Sequence, residues 1–360
     1  ICGVQNQKMS KFWSKLIKEL SPYIPGEQPK NQALIKLNTN ENPYGPSPKV
    51  LAAIKSAISD ELKLYPDPES IGLREAIAKF YNISSSNIFV GNGSDEILAF
   101  IFQGYLKKSK PLLFPNITYS FYPVYCKLYD IAFQKMPLDK NFEINLEDYL
   151  IPNGGIIFPN PNAPTGVAKK VSDIENLLKN NNDSVVVIDE AYVDFGTESS
   201  VYLINKYDNL IVTQSLSKSR SLAGMRIGCA FASKSIVEGL NRIKNSFNSY
   251  PVDRLAQIAG AEAFSDKDYF RQTTNKVIEA RLFLVEEMSN IGFQILPSGA
   301  NFIFTKHNNK KAEFIFKELR NNDILIRFFE SPEEINNYLR ITVGSMEQMK
   351  QLVHVIKKII

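Results

Sequence analysis

Five short apolar runs, each stopped by polar residues, limit what this chain can fold into: Leu112-Leu113-Phe114, Gly155-Ile156-Ile157-Phe158, Val185-Val186-Val187-Ile188, Leu210-Ile211-Val212 and Ile227-Gly228-Cys229-Ala230-Phe231. They alternate with helical patterns, and such runs imply a sheet buried on both faces, an α/β architecture. Ser47 to Ser59 places Val50, Leu51, Ile54, Ala57 and Ile58 on one helical face. Further helices are expected at about Gly72 to Tyr81 and Ser94 to Tyr105. After Pro251 the pattern changes to a long helical stretch, Val252 to Met288, followed by strand-like Phe302-Ile303-Phe304, Ile324-Leu325-Ile326-Arg327 and Leu339-Arg340-Ile341-Thr342-Val343, then a terminal helix from Ser345. The expected organisation is a large domain at 38–250, a smaller α+β domain at 251–360, and a segment 1–37 packing near the smaller one. Ile1 to Lys8 read as an upstream extension or expression remnant with no role in the fold.

Charge and composition narrow the function classes. The balance of 42 Lys+Arg against 38 Asp+Glu leaves +4, with the basic residues scattered rather than striped, so nucleic acid is not the expected partner. Cys2, Cys126 and Cys229 are far apart and odd in number, and with only His307 and His354 as imidazoles no metal-binding spacing exists. No stretch approaches the roughly 20 apolar residues of a membrane helix, and the amino terminus lacks the regions of a signal peptide. A cytoplasmic protein acting on small molecules is the expectation.

In doubly wound sheets ligands bind outside the carboxyl ends of the strands, so polar residues just after the apolar runs carry the chemistry. Gly91-Asn92-Gly93-Ser94-Asp95-Glu96 opens a helix with free N–H groups that suit a phosphate, although Ser94 before acidic residues is also an ordinary helix start. Asp189, ending Val186-Val187-Ile188-Asp189-Glu190-Ala191-Tyr192, could hold a protonated ring nitrogen or simply cap the next element. Tyr192 could donate to a phenolic oxygen or merely pack. Asn160-Pro161-Asn162-Ala163-Pro164-Thr165-Gly166 fixes a turn after a strand. Lys218 follows Leu210-Ile211-Val212-Thr213 among hydroxyls, with Arg226 eight positions on; it suits a Schiff-base lysine beside a phosphate site, against the plain alternative of a solvated loop lysine. Arg340 lies inside an apolar strand, where its fork would pair with a substrate carboxylate or with a structural partner.

Taken together and in this order, these motifs resemble the fold-type-I pyridoxal-phosphate-dependent aminotransferases from about Ser10 onward. Within them, Leu37-Asn38-Thr39-Asn40-Glu41-Asn42-Pro43-Tyr44-Gly45-Pro46-Ser47-Pro48 and Tyr65-Pro66-Asp67-Pro68 look like the histidinol-phosphate aminotransferases. The resemblance implies a mostly parallel seven-stranded sheet between helices plus a smaller α+β domain, with pyridoxal 5'-phosphate as cofactor. It implies Schiff-base formation and proton transfer by Lys218, a ring-nitrogen contact from Asp189, a ring-oxygen contact from Tyr192 and stacking by Tyr119. Ser94, Asp95, Ser215, Ser217 and Arg226 would hold the cofactor phosphate, joined by Tyr65 from a neighbouring subunit, which implies a homodimer with shared active sites. Arg340 would clamp the carboxylate of glutamate or 2-oxoglutarate, and Arg327 and Tyr23 would lie near the phosphate of histidinol phosphate.

One position departs from the family pattern. The residue before Pro-Thr-Gly is often an Asn whose amide contacts the ring oxygen; here it is Ala163, and Asn162, one place earlier, is the candidate replacement. Losing one neutral hydrogen bond costs about 0.5–1.5 kcal/mol, so activity would be tuned rather than abolished. The implied reaction is ping-pong exchange between histidinol phosphate with 2-oxoglutarate and imidazole-acetol phosphate with glutamate. Aromatic aminotransferases and threonine-phosphate decarboxylases share much of the layout and stay as alternatives, as does a binding module that keeps the fold without the chemistry.

Overall fold

In the computed structural model, which describes residues 10–29 and 34–360, the five apolar runs form the middle of one seven-stranded sheet. Numbered along the chain, the strands are β1 (Ile35–Lys36), β2 (Ile88–Asn92), β3 (Leu112–Pro115), β4 (Phe133–Met136), β5 (Gly155–Pro159), β6 (Val186–Asp189), β7 (Leu210–Ser215), β8 (Ile227–Ala232), β9 (Phe293–Ile295), β10 (Phe302–His307), β11 (Ile324–Leu325), β12 (Arg327–Phe328) and β13 (Leu339–Thr342). The large sheet has the order β2-β8-β7-β6-β5-β3-β4. Only β8 runs antiparallel to its neighbours.

Successive residues of the apolar runs enter opposite cores. Ile156, Phe158, Val186, Ile188, Leu210 and Val212 join one buried cluster with Leu73 and Ile77 of helix Ile71–Tyr81 and Ile174 and Leu178 of helix Val171–Asn180. Ile157, Val187 and Ile211 join the other, with Ile97 of helix Gly93–Ile101, Tyr125 of helix Tyr122–Tyr129 and Leu240 of helix Lys234–Phe247. Both faces are dry, so polar chemistry is confined to the strand ends.

Two strands of this sheet lie outside the five runs, and only one of them, β4, is largely exposed. β4 is an edge strand with Phe133, Gln134 and Lys135 exposed, so burial placed no apolar demand on them. β2 ends directly in the Gly91-Asn92-Gly93 turn. On the helix Pro48–Ala57, Val50 is buried, but Leu51 and Ile58 are exposed, at 53% and 60%. Periodicity therefore overstated how much of that face the single chain covers.

The second sheet has the order β12-β13-β10-β9, and β1 pairs in parallel with β11. Leu37 follows β1 into the core of this region beside Ile303, Ile326 and Ile341. The expected strand Ile324 to Arg327 is split at Ile326 between the two pairings. Ser345 caps the terminal helix Met346–Ile359 in a capping box with Gln348.

The expected helix Val252 to Met288 is two helices, Arg254–Ser265 and Lys267–Asn290, broken at Asp266. Tertiary contacts fix the break: the Asp266 carboxylate accepts from Ser47 Oγ at 2.5 Å and Lys49 Nζ at 3.2 Å. Ala256, Ala259, Ala263 and Phe264 of the first helix pack in the core of the large sheet. The buried Phe264 ring lies 3.7 Å from Arg220 Cζ and edge-on to Phe80 at 5.4 Å. Replacing it leaves a cavity and removes one of the three rings around the Arg220 guanidinium. Phe264→Ala should destabilise the fold by about 3–5 kcal/mol, read as a drop in the midpoint of urea unfolding. A change below about 1 kcal/mol would refute this packing.

Candidate active site

A cavity of about 980 Å³ opens at the carboxyl ends of β5, β6 and β7, where Pro159, Asp189 and Ser215 line it. Ser94, Asp95, Tyr119, Tyr192, Ser217, Lys218 and Arg226 line the same space, and the second sheet contributes Arg327 and Arg340. Tyr23 closes one side, with its ring 4.9 Å from Phe121.

The floor is built by the ends of β6 and β7. Asp189 is 5% exposed, and its carboxylate accepts from Tyr122 Oη at 3.1 Å, from the Ala191 N–H at 3.3 Å and from Thr213 Oγ1 at 3.4 Å. Among the described residues no lysine, arginine or histidine nitrogen lies within 4 Å of it, and burial pushes its pKa up to about 6 against the opposing pull of those donors. Neighbouring Glu190 turns away, taking Ser199 Oγ, the Ser200 N–H and Gln214 Nε2. Tyr192 is set edge-on to Phe302 at 5.1 Å, with Lys218 Nζ 5.8 Å from its ring centre.

At one end the sequence builds an anion cradle. Gly93 has φ +79°, and a Cβ there would meet Arg226 Nη2 at 2.5 Å, so glycine is required both for the turn and for the approach of the guanidinium. Arg226 donates to Asp95 Oδ2 at 3.2 Å and Ser217 Oγ at 3.3 Å beside the amino terminus of helix Gly93–Ile101. Tyr119 Oη donates to Asp95 Oδ1 at 3.0 Å, and burial raises its pKa, so it remains a neutral donor.

The opposite end carries uncompensated positive charge. Arg340 Nη2 donates to the Asn38 carbonyl at 2.8 Å, while its Nε is sealed from solvent without a partner. Among the described residues no carboxylate approaches it within 4 Å, so the structural ion pair is not there. Arg327 stands directly opposite Arg340 in the β12–β13 register. Like charges so placed repel, and an anion between them would relieve the cost.

Two expected residues do not line this cavity. Asn162 is 0% exposed, and its Nδ2 donates to the Ile117 carbonyl at 3.0 Å and Thr165 Oγ1 at 3.2 Å while its Oδ1 accepts from Thr118 Oγ1. Its amide is committed to holding the turn, so it does not replace the missing amide; Ala163 is the residue that meets the cavity. Tyr65 is 79% exposed and stacks on Tyr250 at 4.7 Å, outside the cavity of its own chain.

Of the residues read only as part of a family signature, Thr39 and Asn40 line the cavity and Asn42 braces the backbone beside it. Lys218 Nζ donates to the Thr39 carbonyl at 3.1 Å, Asn40 Nδ2 donates to Tyr192 Oη at 3.0 Å, and Asn42 Nδ2 reaches the carbonyls of Lys218 and Ser219. Tyr122 was also missed; only its place after a stacking candidate in Tyr119-Ser120-Phe121-Tyr122 hinted at it. Among the described residues there is no metal-binding cluster, and no helix is long and apolar enough to cross a membrane.

The family described as aminotransferase class I and II matches residues 32–356. Histidinol-phosphate aminotransferase 1 of Pseudomonas aeruginosa is 56% identical over 344 residues, 96% of this chain and 98% of that protein. Its namesake in Pseudomonas fluorescens is 54% identical over 345 residues, again 96% and 98%. Among solved structures, histidinol-phosphate aminotransferase from Sinorhizobium meliloti in complex with pyridoxal-5'-phosphate superposes with a TM-score of 0.86, covering 98% of this chain and 100% of that one at 22% identity.

The buried carboxylate has a thermodynamic signature. Its folded pKa of about 6 lies above the ordinary 3.8, so the folded state binds more protons and stability falls as pH rises between those values. In cofactor-free protein at pH 7.5, Asp189→Asn should therefore be more stable than the parent, by on the order of 1–3 kcal/mol. The advantage should disappear near pH 4. Unfolding midpoints across pH measure it, and a variant destabilised at every pH would contradict the uncompensated charge.

Proposed function

The chain belongs to the class I and II aminotransferases, and we propose that it interconverts histidinol phosphate and 2-oxoglutarate with imidazole-acetol phosphate and glutamate, a step of histidine biosynthesis, using pyridoxal 5'-phosphate. One observation carries the reading beyond the similarity: Lys218 lines the same cavity as a buried carboxylate with no cation and an arginine with no carboxylate. That donor set fits the cofactor. A buried Asp189 suits a protonated ring nitrogen, and the Arg226 cradle suits a phosphate.

When bound, pyridoxal phosphate supplies an electron-withdrawing ring that stabilises negative charge at the substrate Cα. Asp189 would keep the ring nitrogen protonated, Tyr192 would donate to the ring oxygen, and Tyr119 would cover the ring face. Ser94, Asp95, Ser215, Ser217 and Arg226 would hold the phosphate. Lys218 Nζ would hold the cofactor and serve as the base and acid that moves the proton at the substrate Cα. Its present acceptor, the Thr39 carbonyl, holds the amine inside the cavity. Arg340 would bind the carboxylate of glutamate, and Arg327 with Tyr23 the phosphate of histidinol phosphate, one facing pair of arginines serving both half-reactions in turn.

Exposed Tyr65, with Leu51, Ile58, Leu62 and Leu64 exposed near it in sequence, supports a homodimer in which Tyr65 reaches the partner's cofactor phosphate. Because helix Arg254–Ser265 stays with the large sheet, we set the division between the large and small domains near Asp266 rather than at Pro251. Closure of the small domain there would exclude water from the site. A cytoplasmic location fits this chemistry.

The purified holoprotein should be yellow, and borohydride should fix the cofactor on Lys218. A colourless protein that rejects the cofactor would end this reading. Lys218→Ala should keep cofactor binding and lose proton transfer at Cα. In single half-reactions of the loaded enzyme, histidinol phosphate should react faster than phenylalanine or threonine phosphate, and a reversed order would reassign the substrate. Arg340→Met should weaken glutamate use by about 10- to 150-fold in kcat/KM, as expected for removing a charge-assisted pair worth about 1.5–3 kcal/mol.

A further inference from the structure

We propose that Asn40 is a positioning residue that aims the hydroxyl proton of Tyr192 into the cavity. The inference rests on the reading that Tyr192 donates to the cofactor's ring oxygen, and it concerns how the chain ensures that donation where Ala163 brings no amide of its own.

Asn40 is 1% exposed and holds a left-handed backbone with φ 58°. Asparagine tolerates this region better than most residues, yet it still costs energy, so the surroundings must hold it there. They do so with four hydrogen bonds. The Asn40 N–H donates to Thr342 Oγ1 at 3.0 Å, and Thr342 Oγ1 spends its own proton on Asn40 Oδ1, also at 3.0 Å. Asn301 Nδ2 donates to the Asn40 carbonyl at 3.0 Å. With Oδ1 engaged by Thr342, Nδ2 faces Tyr192 and donates to its Oη at 3.0 Å.

A phenol has one proton and can both accept and donate. Once Tyr192 Oη accepts the amide N–H, its own proton cannot point back at Asn40. The ring itself is held edge-on against Phe302, so the hydroxyl is left to donate on the cavity side. The amide that the family pattern places beside the ring oxygen is thus replaced, at one remove, by an amide behind the phenol. Asn162 is excluded from this role because both ends of its side chain are occupied elsewhere.

The test uses holoenzyme carrying Asn40→Gly or Asn40→Asp, each with Tyr192 intact or changed to Phe. Glycine accepts the left-handed backbone without strain and deletes only the side chain. The main readout is the pH midpoint of the bound cofactor's visible absorbance, with cofactor affinity as a second. A donor to the ring oxygen favours its anionic form, so losing the aim of that donor should raise the midpoint. Asn40→Gly should do so with a proton affinity increased by about 2- to 10-fold, the range of one neutral hydrogen bond. Asn40→Asp should raise it further, because a carboxylate draws the Tyr192 proton away from the cavity. Neither should add to the shift produced by Tyr192→Phe alone. Equal shifts by Asn40→Gly in both backgrounds, or an Asn40→Asp enzyme that titrates like the parent, would overturn the proposal. No shift from Tyr192→Phe itself would instead overturn the reading of Tyr192 on which it stands. Thr342→Val, which leaves Asn40 and Tyr192 themselves unchanged but removes the hydroxyl that fixes the amide and accepts the Asn40 N–H, should raise the midpoint in the same direction; an unchanged midpoint there would also count against it.

Discussion

A sheet that is dry on both faces leaves its polar chemistry only one place to go. Every strand of the central run hands alternate side chains to opposite cores, so a residue able to carry charge must come after the last apolar side chain of the run. Asp189 and Ser215 occupy such positions on adjacent strands, and Lys218 follows within three residues. Their convergence follows from the sheet: parallel neighbours in register end at the same edge.

The residues at that edge are arranged against their own electrostatic comfort. Asp189 is buried without a cation, Arg340 without a carboxylate, and Arg340 faces a second arginine across two paired strands. Each of these carries an electrostatic cost that a ligand of the opposite sign relieves. The strap 38–42 gives two of the cations neutral partners, with the carbonyls of Asn38 and Thr39 taking the guanidinium of Arg340 and the ammonium of Lys218. A carbonyl dipole can hold such a group in place yet gives it up readily, because it binds less strongly than a full charge.

Much of this was legible in the sequence because it follows from short-range pattern. The central strands, the lysine after its strand, the glycine turn and the in-strand arginine all announce themselves in a few consecutive residues. What was illegible depends on contacts across the chain. β4 has no apolar signature because it is an edge, and the break at Asp266 exists because Ser47 and Lys49 reach it. Asn162 looked available beside Ala163, and only its neighbours Ile117, Thr118 and Thr165 reveal that its amide is already used. Tyr122 lies behind the residues that touch the cavity and Asn40 meets the cavity beside Tyr192, and nothing local in the sequence distinguishes either from ordinary packing.

The strap has one more consequence, which concerns synthesis rather than chemistry. Asn40 and Asn38 are each joined to the β13 strand by contacts spanning 302 positions. On the ribosome the large sheet can collect its helices while β13 is still unmade. Until then the strap has nothing to fasten to, and the lysine and tyrosine it touches lack their final settings. Competence therefore arrives late, when the small sheet closes these contacts across 302 positions, and a nascent chain with a finished core is still not an enzyme.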